Sequence, residues 1–266
     1  MIRRFSKVHQ GAGRAGGLAA LGGLGLLALG SCRHDAVVVP AYGEYYPLAL
    51  GSYRTYVVQD SAWVGAKVTV SQYQVRERVS EQFTDAAGLP AYRLVRSRRA
   101  AASAAWIDDS VLVVQPLPRA LLLTRSNVRT VELIYPLQAG KGWNQYALTV
   151  NGQAATYQFV DTITNITRRY GPSVGGAYTT PAAGAAPAKT YPTTATVLDI
   201  EPVALNDGIY RCSGYQQVVA LGTGPVLRRR YYYELFTTGS GGQQTPTSLI
   251  QNGTSRRETL LETGTL

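Results

Sequence analysis

Residues 67–79 read KVTVSQYQVRERV, and apolar and polar side chains alternate along most of this stretch. Such a period of two is typical of a β-strand that buries one face and exposes the other. Residues 91–98, AYRLVRSR, repeat the pattern. Neither stretch has the three- and four-residue apolar spacing of an amphipathic helix. Both therefore predict strands that are half-buried in an antiparallel sheet.

Further short segments of this kind follow, separated by turn signals. They are 53–59, 110–115, 119–125, 128–135, 194–200, 210–221, 228–237 and 254–262, with a hairpin of 146–150 and 155–162 around Asn151-Gly152. All 13 prolines come after residue 39, where they interrupt any long helix. We therefore predict an all-β fold: an antiparallel, strongly curved sheet, an open barrel or a sandwich, built as a single domain over residues 45–266.

Two segments have the composition of loops. Gly171–Pro192 reads GPSVGGAYTTPAAGAAPAKTYP, and its Gly, Ala and Pro content fits neither a helix nor a strand. We predict a flexible surface loop over residues 171–192. Gly239–Gln244, GSGGQQ, predicts a second one.

The first 31 residues have the features of an export signal. Residues 1–14 are basic, and residues 15–31 form a short uncharged Leu/Ala/Gly stretch, too short to span a membrane. The stretch ends in Leu29-Gly30-Ser31-Cys32, which resembles a bacterial lipobox. That resemblance implies a lipoprotein signal peptide over 1–31 and a diacylglycerol on the Cys32 thiol. Residues 32–44 would then be the acylated cysteine and a tether.

Composition excludes several chemistries. The formal net charge is +10, but the leader carries four of the basic residues and no acid, so the remainder carries +6. Both histidines, His9 and His34, lie at the N-terminus. A body without histidine cannot form a Ser-His-Asp triad, a Cys-His pair or a histidine-based zinc site. We predict no catalytic site, no cofactor and no metal.

Three motifs resemble a group of small β-rich lipoproteins of Bacteroidota. They are Tyr45-Tyr46-Pro47-Leu48, the turn Gly140-Lys141-x-Trp143-Asn144, and the aromatic strand Tyr231-Tyr232-Tyr233-Glu234. The resemblance implies a lipid anchor and a tyrosine-rich β-body over most of the mature chain. The motifs mark turns and packing, and no catalytic residue carries over.

Tyrosine and arginine are unusually placed. The chain has 18 tyrosines against 4 phenylalanines. They could form a glycan-binding face, but we favour packing on the wet face of the sheet. Arg228-Arg229-Arg230 precedes three tyrosines. We expect these arginines on a solvated edge strand, where charge discourages further pairing, and we predict no nucleic-acid partner.

Three triplets resemble the Asp-Ser/Thr-aliphatic O-glycosylation acceptor of exported Bacteroidota proteins. They name Ser61, Ser110 and Thr162 as candidate acceptors. The competing interpretation is that each aspartate and hydroxyl residue simply marks a turn or strand end.

We therefore predict an exported, lipid-anchored cell-envelope protein, a non-catalytic structural or binding module. Its partners would be the membrane, through Cys32, and envelope glycans or other envelope proteins. The alternative is a carrier that holds a lipid or hydrophobic ligand inside a curved β-sheet. Arg33 follows Cys32 at the position where an Asp would resemble an inner-membrane retention signal, so we expect the protein in the outer membrane. Asp35 is the one nearby acid, whereas a surface-display signal resembles an acidic cluster, so we expect the periplasmic face.

Overall fold

A computed structural model describes residues 42–148, 166–200, 206–207, 209–239 and 245–266. These residues belong to one compact unit, Val39–Leu266. The elements are a 3-10 turn η1 (Tyr42–Tyr45) and strands β1 (Ser52–Val64), β2 (Lys67–Thr84), β3 (Pro90–Arg99), β4 (Ile107–Leu117), β5 (Ala120–Arg125), β6 (Val128–Ile134), β7 (Gly142–Trp143), β8 (Arg168–Thr180), β9 (Lys189–Asp199), β10 (Arg211–Ala220), β11 (Gly224–Thr238) and β12 (Thr245–Thr265). Within the described ranges no α-helix occurs, and the all-β prediction is confirmed.

All strands join one antiparallel sheet in the order β6-β5-β4-β3-β2-β1-β12-β11-β10-β9-β8-β7. Consecutive strands pair with each other except β6 and β7, and β1 pairs with β12 as well as with β2. The first and last strands therefore lie at the centre of the sheet, and β6 and β7 lie at its two edges. The sheet curves into a nearly closed barrel with one unsealed seam.

The alternation that predicted the strands also selects the inner face. Tyr56 and Val58 of β1 lie opposite Val75 and Tyr73 of β2, and all four side chains are buried in one apolar cluster. A second cluster extends through both halves of the sheet, from Leu94 on β3 to residues of β9.

The N-terminal turn η1 packs inside the curve of the sheet. Tyr45 and Tyr46 are buried in the same cluster as Leu94 of one half and Val197 of the other. Residues 42–44, which the sequence analysis assigned to the tether, are thus already part of the described fold.

The prediction of a flexible loop over residues 171–192 is wrong. Most of this segment forms the end of β8 and the start of β9, where Tyr178 lies opposite Tyr191 and Thr179 opposite Thr190. Register shifts along β8 and the positive φ of Gly175 accommodate the small residues. The loop prediction from composition failed because irregular, bulged strands tolerate Gly and Pro, which regular strands exclude.

Several tyrosines lie across the strands from glycines. Tyr231 faces Gly214, Tyr233 faces Gly253, and Tyr53 faces Gly264. A Cβ at Gly214 or Gly264 would clash with the facing ring, and at Gly253 it would lie 3.0 Å from Cδ1 of Tyr233. A tyrosine ring that lies over a glycine on the neighbouring strand shields the glycine backbone, because glycine has no side chain to cover it. This packing supports the structural interpretation of the tyrosine content.

Candidate ligand cavity

A cavity of about 850 Å³ opens on the concave side of the sheet. Small-molecule sites usually measure roughly 300–1,000 Å³. Strands β4 to β6 form one wall, and β10 to β12 form the facing wall. Tyr46, from the segment just after η1, contributes to the lining.

The two walls differ in chemistry. The β4–β6 wall presents Val114, Leu121 and Leu123. The β10–β12 wall presents Arg228, Arg230 and other ionic side chains. Asp109, Arg125, Thr130 and Glu132 also line the first wall, so an apolar patch bordered by polar groups faces a wall rich in arginine.

Four largely buried side chains, Glu77, Arg96, Arg228 and Glu258, form a closed ionic ring that we call the buried quartet. Arg228 holds Glu77 through Nη1–Oε1 at 2.8 Å and Nη2–Oε2 at 3.1 Å. Its Nη1 is also 3.1 Å from Glu258 Oε2. Arg96 completes the ring, with Nη2 3.0 Å from Glu258 Oε1 and Nη1 3.7 Å from Glu77 Oε1. Each charge therefore has two opposite partners.

Charge pairing overcomes burial in the quartet. Burial alone would raise the pKa of Glu77, but the charge and hydrogen bonds of Arg228, with Arg96, hold that pKa at about 2. Burial likewise opposes ionisation of Glu258, and Arg228 and Arg96 still lower its pKa. For Arg228 burial would lower the pKa, yet the Glu77 carboxylate raises it well above the ordinary value. The quartet is fully ionised at neutral pH.

A second ionic chain crosses the seam. Arg168 Nη1 is 2.9 Å from Glu132 Oε2, and its Nε is 2.8 Å from Asp199 Oδ1. Asp199 Oδ2 is in turn 3.4 Å from Arg230 Nη2. Burial opposes the charge of Arg168, but both carboxylates raise its pKa. Burial opposes the charge of Glu132 too, and Arg168 lowers its pKa.

Hydrogen bonds supplement this chain at the seam. The Trp143 indole Nε1 donates to the Val131 carbonyl at 2.9 Å, and the Val131 amide donates to the Gln145 carbonyl at 2.8 Å. The Tyr170 hydroxyl donates to the carbonyl of Ile134 at 2.7 Å. The two sheet edges are therefore joined by side chains and isolated bonds in place of a regular ladder.

The expectation of an edge strand for Arg228–Arg230 is wrong, although Arg229 and Arg230 are exposed to solvent as expected. Strand β11 lies between β10 and β12, and Arg228 points inward to the buried quartet. The sequence held one signal for this arrangement. In the alternating pattern, Glu77 lies between Val75 and Val79 on the face that is otherwise apolar. A charge buried on that face needs an oppositely charged partner.

The predicted modification sites are placed differently from one another. Ser61 is only 9% exposed within β1, opposite Ser255 and Val70. Ser110 is exposed on β4, and its Oγ donates to Asp109 Oδ1 at 2.7 Å. Cys32 and Thr162 lie outside the described residues, as does most of the hairpin predicted around Asn151-Gly152. Of its first predicted strand only residues 146–148 are described, and they form a turn.

Within the described ranges, no three His, Cys, Asp or Glu side chains group as metal ligands. No helix in that part of the chain is long and apolar enough to cross a bilayer. Comparisons of the chain with protein-family models, with curated proteins and with solved structures give no match.

Proposed function

We propose that this protein is a non-catalytic, lipid-anchored binding protein of the cell envelope that carries a ligand with an apolar body in the barrel cavity. The observation that carries the proposal is the cavity of about 850 Å³ with Val114, Leu121 and Leu123 on one wall. This develops the carrier interpretation of the sequence. A binding module without an interior ligand is the competing interpretation.

Packing supports the carrier interpretation. A barrel with a purely structural role gains stability by filling its interior with side chains to normal protein density. Here the apolar clusters occupy part of the interior, and a large space remains beside them. The tyrosines that could have formed a glycan-binding face, such as Tyr231 and Tyr233, instead cover glycines of neighbouring strands.

The anchor is supported by the sequence. The lipobox-like Leu29–Cys32, after a basic segment and a short apolar one, supports acylation of Cys32 and export. Two or three acyl chains would hold the protein on a membrane firmly. Arg33 after Cys32 supports placement in the outer membrane, and the lone Asp35 supports the periplasmic face.

Binding of a neutral amphiphile tests the cavity. The methyl ester of NBD-labelled dodecanoic acid becomes more fluorescent when it enters an apolar site. We expect saturable binding to the wild-type protein and a loss of at least tenfold in affinity in Leu123→Trp, because the indole projects over the apolar patch where the acyl chain would lie. Leu249→Trp, at a residue 63% exposed outside the cavity, is the matched control and should bind normally. No saturable binding to the wild type, or equal binding by Leu123→Trp, would refute the carrier proposal.

A further inference from the structure

The cavity rim holds two arginines that face each other. Arg230 of β11 and Arg256 of β12 are direct cross-strand partners, and both line the cavity. Like charges at directly opposed positions of an antiparallel pair destabilise the sheet. The side chains are 62% and 45% exposed, so both guanidinium groups are accessible from the cavity mouth.

The nearby carboxylates are already shared with other arginines. Arg230 reaches Asp199 at 3.4 Å, but Arg168 holds the same carboxylate at 2.8 Å. Arg256 Nε is 3.2 Å from Glu258 Oε1, the oxygen to which Arg96 donates at 3.0 Å.

Two more carboxylates lie near the rim, and one of them, Asp60, is the cross-strand partner of Arg256 on β1 and makes no hydrogen bond through its Oδ1. Arg256 Nε is 3.8 Å from Asp60 Oδ1, and Asp60 Oδ2 accepts the Tyr73 hydroxyl at 2.9 Å. Asp109 accepts the Ser110 hydroxyl at 2.7 Å. The two rim arginines therefore retain unused donor capacity, since each guanidinium has five N–H groups.

Aromatic stacking orients one of the pair. The guanidinium carbon of Arg230 is 5.0 Å from the centroid of the Tyr215 ring, and that of Arg168 is 4.9 Å from the same centroid. The Tyr215 hydroxyl donates to Gln217 at 2.9 Å, which fixes the ring. A guanidinium held against a ring loses less conformational freedom when it binds an anion.

We propose that the cavity selects an anionic amphiphile, whose carboxylate or phosphate head binds between Arg230 and Arg256 while its apolar body lies along Leu121 and Leu123. This inference rests on the proposed function and specifies its ligand class. The anion separates the two opposed charges, and paired guanidinium groups suit carboxylate and phosphate oxygens.

The test compares NBD-labelled dodecanoic acid with its methyl ester at low ionic strength. We expect the wild type to bind the acid at least tenfold more tightly than the ester, the change expected for one charge-assisted hydrogen bond. Arg230→Gln and Arg256→Gln should each lose this preference and keep their affinity for the ester. Arg257→Gln, which removes the same charge from the neighbouring position of β12, should keep the preference.

The outcomes separate the two proposals. If wild type binds acid and ester equally, or if the rim variants keep the preference, the anion assignment is overturned and the carrier proposal stands. If neither probe binds, both fall. Competition by unlabelled dodecanoate and dodecyl phosphate identifies the preferred head. Displacement of the acid by inorganic phosphate as effective as that by dodecyl phosphate would overturn the amphiphile assignment. Urea unfolding of each variant verifies that it is folded.

Discussion

Arg168 and Glu132 join the two edges of the sheet, with Arg168 Nη1 2.9 Å from Glu132 Oε2. Glu132 lies on the edge strand β6, and Arg168 begins β8, next to the other edge strand. Between them the backbone ladder is interrupted, so a buried ion pair holds the barrel closed where regular strand pairing does not. The same Arg168 contacts Asp199 and stacks on Tyr215, which links the seam to the cavity rim.

Glu132→Gln should weaken this closure strongly. The substitution leaves the buried Arg168 with one carboxylate in place of two, and removing one partner of a buried pair costs about 3 kcal/mol or more. Urea unfolding measures the loss. Glu81→Gln is the control, because the Glu81–Arg93 pair is about half exposed and contributes less than about 1 kcal/mol. Equal stabilities of the two variants would show that the pair does not hold the seam.

The free energy of unfolding should fall as the pH drops from about 4.5 to about 2. Glu77 has a pKa of about 2 in the folded protein against an ordinary value of 4.5. The unfolded chain therefore binds more protons in this window, and acid favours unfolding. The shift of Glu77 corresponds to about 3 kcal/mol at neutral pH, and the lowered pKa values of Glu258 and Glu132 act in the same direction. Urea midpoints measured from pH 7 to pH 2.5 check this, and a constant midpoint would contradict it.

Gly253→Ala should destabilise the protein by about 2 kcal/mol or more. Gly253 has a φ of 150°, and a Cβ there would meet the Tyr232 carbonyl and lie 3.0 Å from Tyr233 Cα. Backbone atoms of β11 cannot move aside without breaking the ladder. Gly176→Ala is the control, since a Cβ at Gly176 would lie 3.8 Å from Ser173 Cβ, an ordinary van der Waals contact. Thermal unfolding should separate the two variants by several degrees.

Tyr191→Ala tests the hairpin of β8 and β9. The Tyr191 side chain is 5% exposed and packs in the apolar cluster with residues of β1, β2 and β10 to β12. Removal of the ring should lower the free energy of unfolding by about 3 kcal/mol, whereas the same substitution in a mobile loop would change it very little. Ser173→Ala, at an exposed position of β8, should leave the urea midpoint nearly unchanged. A negligible effect of Tyr191→Ala would restore the loop interpretation.

Cys32→Ala should abolish lipid labelling and leave an unanchored or unprocessed precursor, because the thiol is the proposed acylation site. Metabolic labelling with a radioactive fatty acid, followed by membrane fractionation, measures both effects. Cys212→Ala provides the control, since Cys212 lies within β10 and should leave labelling intact. Labelling of Cys32→Ala equal to that of the wild type would contradict the anchor.

Protease added to intact cells tests the proposed face of the membrane. We expect the body to be protected until the outer membrane is permeabilised. Digestion of intact cells would place the protein on the surface. Recovery in the inner-membrane fraction would contradict the outer-membrane proposal altogether.

Alternation with a period of two, visible in Lys67–Val79, was sufficient to identify β2 and most other strands from the sequence. It reports only whether successive side chains face opposite sides of a sheet, and this local property survives any arrangement of the strands. The loop prediction over 171–192 failed because composition does not reveal bulges. Those bulges let Gly175 and its neighbours remain in β8.

The sequence by itself determined the all-β class, the approximate strands and the absence of histidine chemistry after residue 34. Only the tertiary structure decided that β1 pairs with β12, which brings Tyr53 opposite Gly264. That pairing and the sheet curvature place Glu77 beside Arg228. The register of β11 against β12 places Arg230 opposite Arg256. The physical reason is that charges meet through strand order and register, which depend on contacts between distant segments, while alternation depends on neighbours in the chain.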